Sequence, residues 1–280
     1  WNEYNEGHIG FHGRIYRATL IELTPDCKYY YIVGDSTTGI FSEVHMFRSP
    51  PMLGQNLDRI NIAVFGDMGT VVPLGYDVSQ QLTRSHLSDP FDFVFLTGDI
   101  AYAGMNSEQE GELEPVWDLF GQLTEPWAAQ IPFMPGVGNH ESTTIIQHTN
   151  TDITCLDRKA VARISGFHST MDSFIWCIFH QSTHTNLVAS VLILERDLKK
   201  ASSNPNTKWI ILGVHRPFYA ASSSDYNENK GLAHQLEDLM KQYRVDIVQT
   251  GHMHCYERTW PIYRGKALTL GQNKTHYYRP

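Results

Sequence analysis

Five short segments each end an apolar run on side chains that can offer lone pairs. They are FGDMG with Asp67, TGDIAY with Asp99 and Tyr102, GVGNHE with Asn139, His140 and Glu141, GVHRP with His215, and TGHMHCYER with His252 and His254. Singly, each residue has an ordinary structural use: aspartate and asparagine shape turns, a tyrosine keeps its hydroxyl wet beside a buried ring, and a histidine can sit satisfied in a core. His252-Met-His254 is a stronger sign, because alternate residues of an extended segment point to one side. Together they indicate metal ligation. Carboxylate and phenolate oxygens suit a hard ferric ion, imidazole and amide oxygen suit divalent zinc, iron or manganese, and one carboxylate can bridge two ions. Glycine beside most of these residues lets backbone turn sharply and approach closely.

The elements that must position them alternate in type. From Arg59 onward, apolar runs (INIAVFGD, FDFVFLTGD, IPFMPGVGNH, SFIWCIF, KWIILGVH, VDIVQTGH) are separated by helical patterns near 77–88, 112–129, 190–203 and 231–243. That alternation predicts an α/β domain over 59–280 whose sheet is buried on both faces, with ligands at the carboxyl ends of its strands. Ahead of it, RIYRATLIEL, KYYYIVGDS and FSEVHMFRSP read as strands of an all-β module over 1–50, and SPPMLGQN supplies a linker over 51–58. The irregular stretch from about Ser142 to Ser173 has no clear element. His180 and His184 beyond it are set aside as site residues.

The totals exclude several classes. The chain has 280 residues, enough for one large or two modest domains, and a formal net charge of −8, which argues against a broad nucleic-acid or anionic-membrane surface. No apolar run is long enough for a membrane span. The first residue is Trp1, so the chain reads as a mature form or a fragment. Cys27, Cys155, Cys177 and Cys255 make no CxxC pair and read as free, buried thiols. Asn273-Lys-Thr is a glycosylation sequon that would fit a secreted glycoprotein.

The ordered blocks Asp67, GD-x-x-Y, GNHE, V-H-R-P and GH-x-H-x-Y-E-R resemble the purple acid phosphatase family of metallophosphoesterases, most closely its larger, two-domain branch. The resemblance covers most of residues 14–263 and includes HRPFYA, LERDL and YERTWPIY. It implies a four-layer β-sandwich catalytic domain flanked by helices, behind a fibronectin-like β-domain that is only partly present. By its pattern the chain is short at both ends. Carried over by position, it implies that Asp67, Tyr102 and His254 bind Fe(III), that Asn139, His215 and His252 bind a divalent ion (Zn, Fe or Mn), and that Asp99 bridges the two.

The activity so implied is acid hydrolysis of phosphate monoesters, a hydroxide from the dinuclear centre attacking phosphorus in line. Asn139 and His140 would contact substrate, His140 would help protonate the leaving oxygen, and Glu141 would orient it. The partner would be a phosphate ester, with a homodimer admitted and secretion, or delivery to a lysosome or vacuole, implied. The pattern departs from many plant members after HRPFYA, where ASSSDYNENK replaces two substrate-side histidines. Two alternatives stand beside this reading: a phosphodiesterase or nucleotide-pyrophosphate hydrolase of the same metal class, and a non-catalytic binding or adhesion protein whose truncated catalytic domain is inert.

Overall fold

A computed structural model describes residues 16, 18–52, 55, 59–71, 73–103, 114–136, 138–140, 174–179, 187–220 and 226–268. Within the first sixty residues, β1 (Lys28–Tyr31) pairs antiparallel with β4 (His45–Arg48), and β2 (Gly34–Asp35) pairs with β3 (Ile40–Phe41). Tyr29 stacks on Phe47 across the first pair, the cross-strand contact that β-rich sequence favours. RIYRATLIEL does not behave as expected. Its described residues form no strand, and Tyr16, Leu20 and Ile21 are exposed, because strand propensity without a partner edge carries little stabilisation.

Two parallel sheets follow. The first has the order β5 (Ile62–Phe65), β6 (Phe93–Leu96), β7 (Phe133–Pro135), with α1 (Leu74–Ser88) and α2 (Glu114–Ala128) as crossovers. The second has the order β10 (Ile247–Thr250), β9 (Trp209–Val214), β8 (Phe174–Phe179), with crossovers α3 (Leu187–Ser203) and α4 (Tyr226–Gln242). A short hairpin, β11 (Ile262–Tyr263) and β12 (Lys266–Ala267), comes last.

Alternation along the central strands sorts their side chains into separate cores. Val94 and Leu96 of β6 join Leu82 of α1 and Phe120 and Trp127 of α2, whereas Phe93 and Phe95 join Met134 of β7 and Ile211 of β9. On β9, Ile210, Leu212 and Val214 face instead Leu194 and Leu198 of α3 and Leu236 of α4. Ile211 therefore ties one sheet to the other, and each sheet carries its helices on the remaining face. Burial on both faces is why these strands read as continuous apolar runs.

The front module touches the α/β part at the carboxyl end of α2. The Tyr31 hydroxyl donates to the Ala129 carbonyl (2.7 Å), and His45 lies 3.9 Å from Glu125. Cys27 and Cys255 are free as expected, but neither is buried: Cys27 is half-buried and Cys255 exposed.

Candidate metal centre

Parallel strands whose crossovers cover the outer faces bring their carboxyl ends to one edge, and the turns leaving β5, β6, β7, β9 and β10 converge there. Backbone bonds lace them together: Asp67 N–H donates to Gly98 O (3.0 Å), Gly69 N–H to Ile100 O (3.0 Å) and Gly251 N–H to His215 O (2.8 Å). The His252 N–H spans the two sheets and donates to both carboxylate oxygens of Asp67, at 2.9 and 2.7 Å.

Close approach is possible only because three of these turns lack a side chain. A Cβ on Gly138 would lie 2.0 Å from Asp99 Oδ1, one on Gly251 would lie 2.6 Å from Asp67 Oδ2, and one on Gly98 would lie 2.6 Å from His215 Nδ1. The glycines flanking the candidate ligands thus serve contact as well as turning.

One cluster centres on His215. Its Nδ1 is 3.0 Å from the Thr97 carbonyl, which only accepts, so Nδ1 carries the hydrogen and Nε2 is the lone-pair nitrogen of the neutral ring. Nε2 then faces Asn139 Oδ1 at 3.0 Å and Asp99 Oδ2 at 3.2 Å. Three acceptors turned inward need a positive centre between them, supplied by a proton or a metal ion. Asp99, His215 and His252 each bring a ligand atom within 4.8 Å of the others, the spacing of a metal-binding group.

A second cluster adjoins it. Tyr102 Oη is 2.8 Å from His254 Nε2 and 3.3 Å from Asp67 Oδ1, and those two atoms are 3.5 Å apart. A phenol has one proton to share among these acceptors. A hard cation would satisfy all of them once that proton leaves. Asp99 belongs to both clusters, since it approaches His215 and also bears on Tyr102.

Electrostatics follow from burial. Asp99 is almost wholly buried, which raises its pKa, but the hydrogen bond and charge of His215 and the His140 N–H (3.0 Å) outweigh this and hold it below the ordinary carboxylate range. Burial also opposes protonation of His215, yet Asp99 and then Asp67 prevail and raise it. Asp67 is pushed above the ordinary carboxylate range by burial, with His215 opposing and Asp99 adding. Burial, then the charges of Asp67 and Asp99, drive the Tyr102 phenol up. The metal-free site therefore resists a phenolate, and only a bound cation would favour one.

His140 is partly exposed beside the cluster. Its ring lies against that of Tyr102 (centroids 4.4 Å apart), and its Nε2 is 3.9 Å from Asp99 Oδ2. The structure thus brings together Asp67, Asp99, Tyr102, Asn139, His140, His215, His252 and His254. Glu141, His180 and His184 lie outside the described residues.

Two participants escaped the sequence reading. The Thr97 carbonyl, which sets the His215 tautomer, leaves no mark on residue type, since any residue would supply it. Arg216, whose Nη1 is 3.2 Å from His252 Nε2, did leave one: a cation directly after a candidate ligand in VHRP.

Comparison with known proteins agrees with this geometry. A sequence model of the family described as calcineurin-like phosphoesterase matches residues 60–256. The chain is 30% identical over 270 residues to purple acid phosphatase 21 of Arabidopsis thaliana, covering 92% of this chain and 56% of that protein. It is 32% identical over 295 residues to acid phosphatase type 7 of Mus musculus, covering 95% of this chain and 61% of that one. The structure of purple acid phosphatase PPD1 from yellow lupin (Lupinus luteus) seeds superposes with a TM-score of 0.64 at 25% identity, covering 88% of this chain and 47% of that one. The chain thus spans somewhat more than half the length of the curated relatives named. With residues 60–256 matched and the strand-end cluster in place, the chain belongs to the calcineurin-like phosphoesterase family, with purple acid phosphatases among its relatives over most of its length.

Proposed function

We propose that the chain carries the catalytic centre of a purple acid phosphatase and hydrolyses phosphate monoesters with Fe(III) and a divalent zinc, iron or manganese ion. The observation that carries this reading is the pair of adjoining clusters sharing Asp99, one of them containing a phenol. Asp67, Tyr102 and His254 would hold the ferric ion, Asn139, His215 and His252 the divalent one, and Asp99 both. When bound, the two ions would supply Lewis acidity for ionising water and for neutralising phosphoryl oxygens.

The chain's own groups do the rest. In the metal-free site Asp99 stays ionised because protonated His215 and the His140 N–H face it, and the Thr97 carbonyl, by holding the Nδ1 hydrogen, leaves Nε2 as the ring nitrogen turned inward. Tyr102 gives up its proton only in exchange for a cation. His140, about a quarter exposed against the Tyr102 ring, can donate a ring N–H to a phosphoryl oxygen and then to the departing alcohol. Glu141 would orient it. Around this site we infer a four-layer arrangement of two sheets and outer helices over 59–280, with a fibronectin-like module over 1–50 and a linker over 51–58. Secretion or delivery to a lysosome or vacuole, and a homodimer, belong to the same reading.

The test is the visible absorption of the iron-loaded chain. A tyrosinate-to-iron(III) band that vanishes in Tyr102→Phe is expected, together with hydrolysis of p-nitrophenyl phosphate in preference to bis(p-nitrophenyl) phosphate. His140→Ala should lower turnover about 10²–10⁴-fold while retaining metal; Asp99→Asn should lose the metal. Bound, oxidised iron without the band would remove Tyr102 from the ligand set, and preference for the diester would move the activity to a phosphodiesterase.

A further inference from the structure

Arg216 is not among the candidate ligands, yet its guanidinium meets the centre. It follows His215 at the end of β9, is half-buried, and brings Nη1 to 3.2 Å from Nε2 of His252. A guanidinium has donors and no acceptor, so the ring nitrogen must accept here. That nitrogen has a single in-plane lone pair. An ion taking that lone pair would displace the N–H now using it, leaving that N–H beside the candidate centre.

Resting on the function proposed above, we propose that Arg216 is a substrate-binding residue, donating to a non-bridging oxygen of the phosphoryl group. Three features converge on this role. The fork geometry of a guanidinium matches a phosphate edge and stays charged at any pH the protein meets. Arg216 meets His252, whose ring packs edge-on against that of His215, while His140 lies against Tyr102 and 3.9 Å from Asp99, so both border the same cluster of candidate ligands. The chain is acidic overall, with 22 basic against 30 acidic residues, so an arriving phosphate dianion gains from a local cation that general charge does not supply.

The test uses the metal-loaded protein, with Arg216→Gln and Arg216→Lys. Inorganic phosphate is the probe, as an inhibitor of p-nitrophenyl phosphate hydrolysis and directly by calorimetry; metal content and thermal unfolding are read alongside. Loss of one charged hydrogen bond should raise the phosphate Ki and Kd, and KM with them, about tenfold or more in Arg216→Gln, with metal content unchanged. Arg216→Lys should recover part of the affinity through its charge, and it carries the test alone should the glutamine variant not fold. Unchanged phosphate affinity in folded Arg216→Gln, or in Arg216→Lys where the glutamine variant does not fold, overturns the proposal. So does metal loss in step with affinity, which would make Arg216 a support for His252. Outcomes for the two readings separate: a wild type that hydrolyses monoesters while Arg216→Gln keeps its Ki leaves the activity standing and removes this role. A wild type without turnover whose phosphate affinity still falls on Arg216→Gln removes the activity and keeps the role.

Discussion

Asp67, Asp99, Tyr102 and His252 have φ of 56°, 50°, 58° and 70° respectively, in the left-handed region that ordinary side chains avoid. Such backbone persists where surrounding contacts overdetermine it, and here it aims side chains at one point. Asp67 adds an electrostatic cost. Its pKa is raised in the folded state, so the stability it contributes is present below the ordinary carboxylate range and is lost as pH rises through its folded value. Asp99 runs the other way: with a lowered pKa, its contribution is present above the ordinary range and is lost as pH falls through its folded value. Asparagine tolerates left-handed backbone and can still accept the His252 N–H, without a buried charge. Asp67→Asn should therefore stabilise the metal-free chain at pH 7 by about 1 kcal/mol, a rise of about 2–4 °C in Tm. The advantage should shrink as pH is lowered from 7 to 5, because a raised pKa means that Asp67 takes up its proton at higher pH than an ordinary carboxylate. Thermal unfolding in chelator at the two values checks this, and an advantage that grows on acidification would refute the burial account. The candidate residues were legible in the sequence because strand ends announced them. Their mutual contacts were not, because Arg216 meets His252 only once β9 and β10 are paired.

Helices expected near 77–88, 112–129, 190–203 and 231–243 begin at 74, 114, 187 and 226. Burial of one face makes such helices readable from hydrophobic period alone, whereas helix starts without a side-chain cap, as at Pro73 of α1, leave no local signal. RIYRATLIEL misled for the converse reason: alternation indicates strand only where an edge is available to pair. Periodicity alone did not reveal that the strands form two sheets, since pairing is not a local property; only the family resemblance implied it. One buried acid serves two segments. Glu237 of α4 accepts from the Arg264 N–H (3.0 Å) and from the Tyr219 hydroxyl, while Arg264 also pairs with Asp238 (2.8 Å), so the β11–β12 hairpin and the HRPFYA segment are both anchored to one helix. Glu237→Ala strands these donors and should destabilise the chain by about 1–3 kcal/mol in urea unfolding. Glu237→Gln, which keeps an acceptor, should lose less. Equal losses would show that charge, not the acceptor, holds the hairpin.

Across the whole molecule, the site is divided. Asp67, Asp99, Tyr102, Asn139 and His140 follow strands of the first sheet, and His215, His252 and His254 follow strands of the second. Removing metal should therefore loosen the junction as a unit. Hydrogen exchange at the backbone amides of Asp67, His140 and Gly251 should speed up together in chelator, while amides in the middle of β6 and β9, held by the inter-sheet packing of Phe95 and Ile211, should stay slow. Independent changes at the three amides would argue against a shared opening. The His252 N–H that grips the Asp67 carboxylate joins residues 185 apart in sequence, one from each sheet. Such a tie makes metal escape a gating problem. Extraction by chelator should reach a plateau rate as chelator concentration rises, because the parting of the two sheets, rather than encounter with the chelator, then sets the pace.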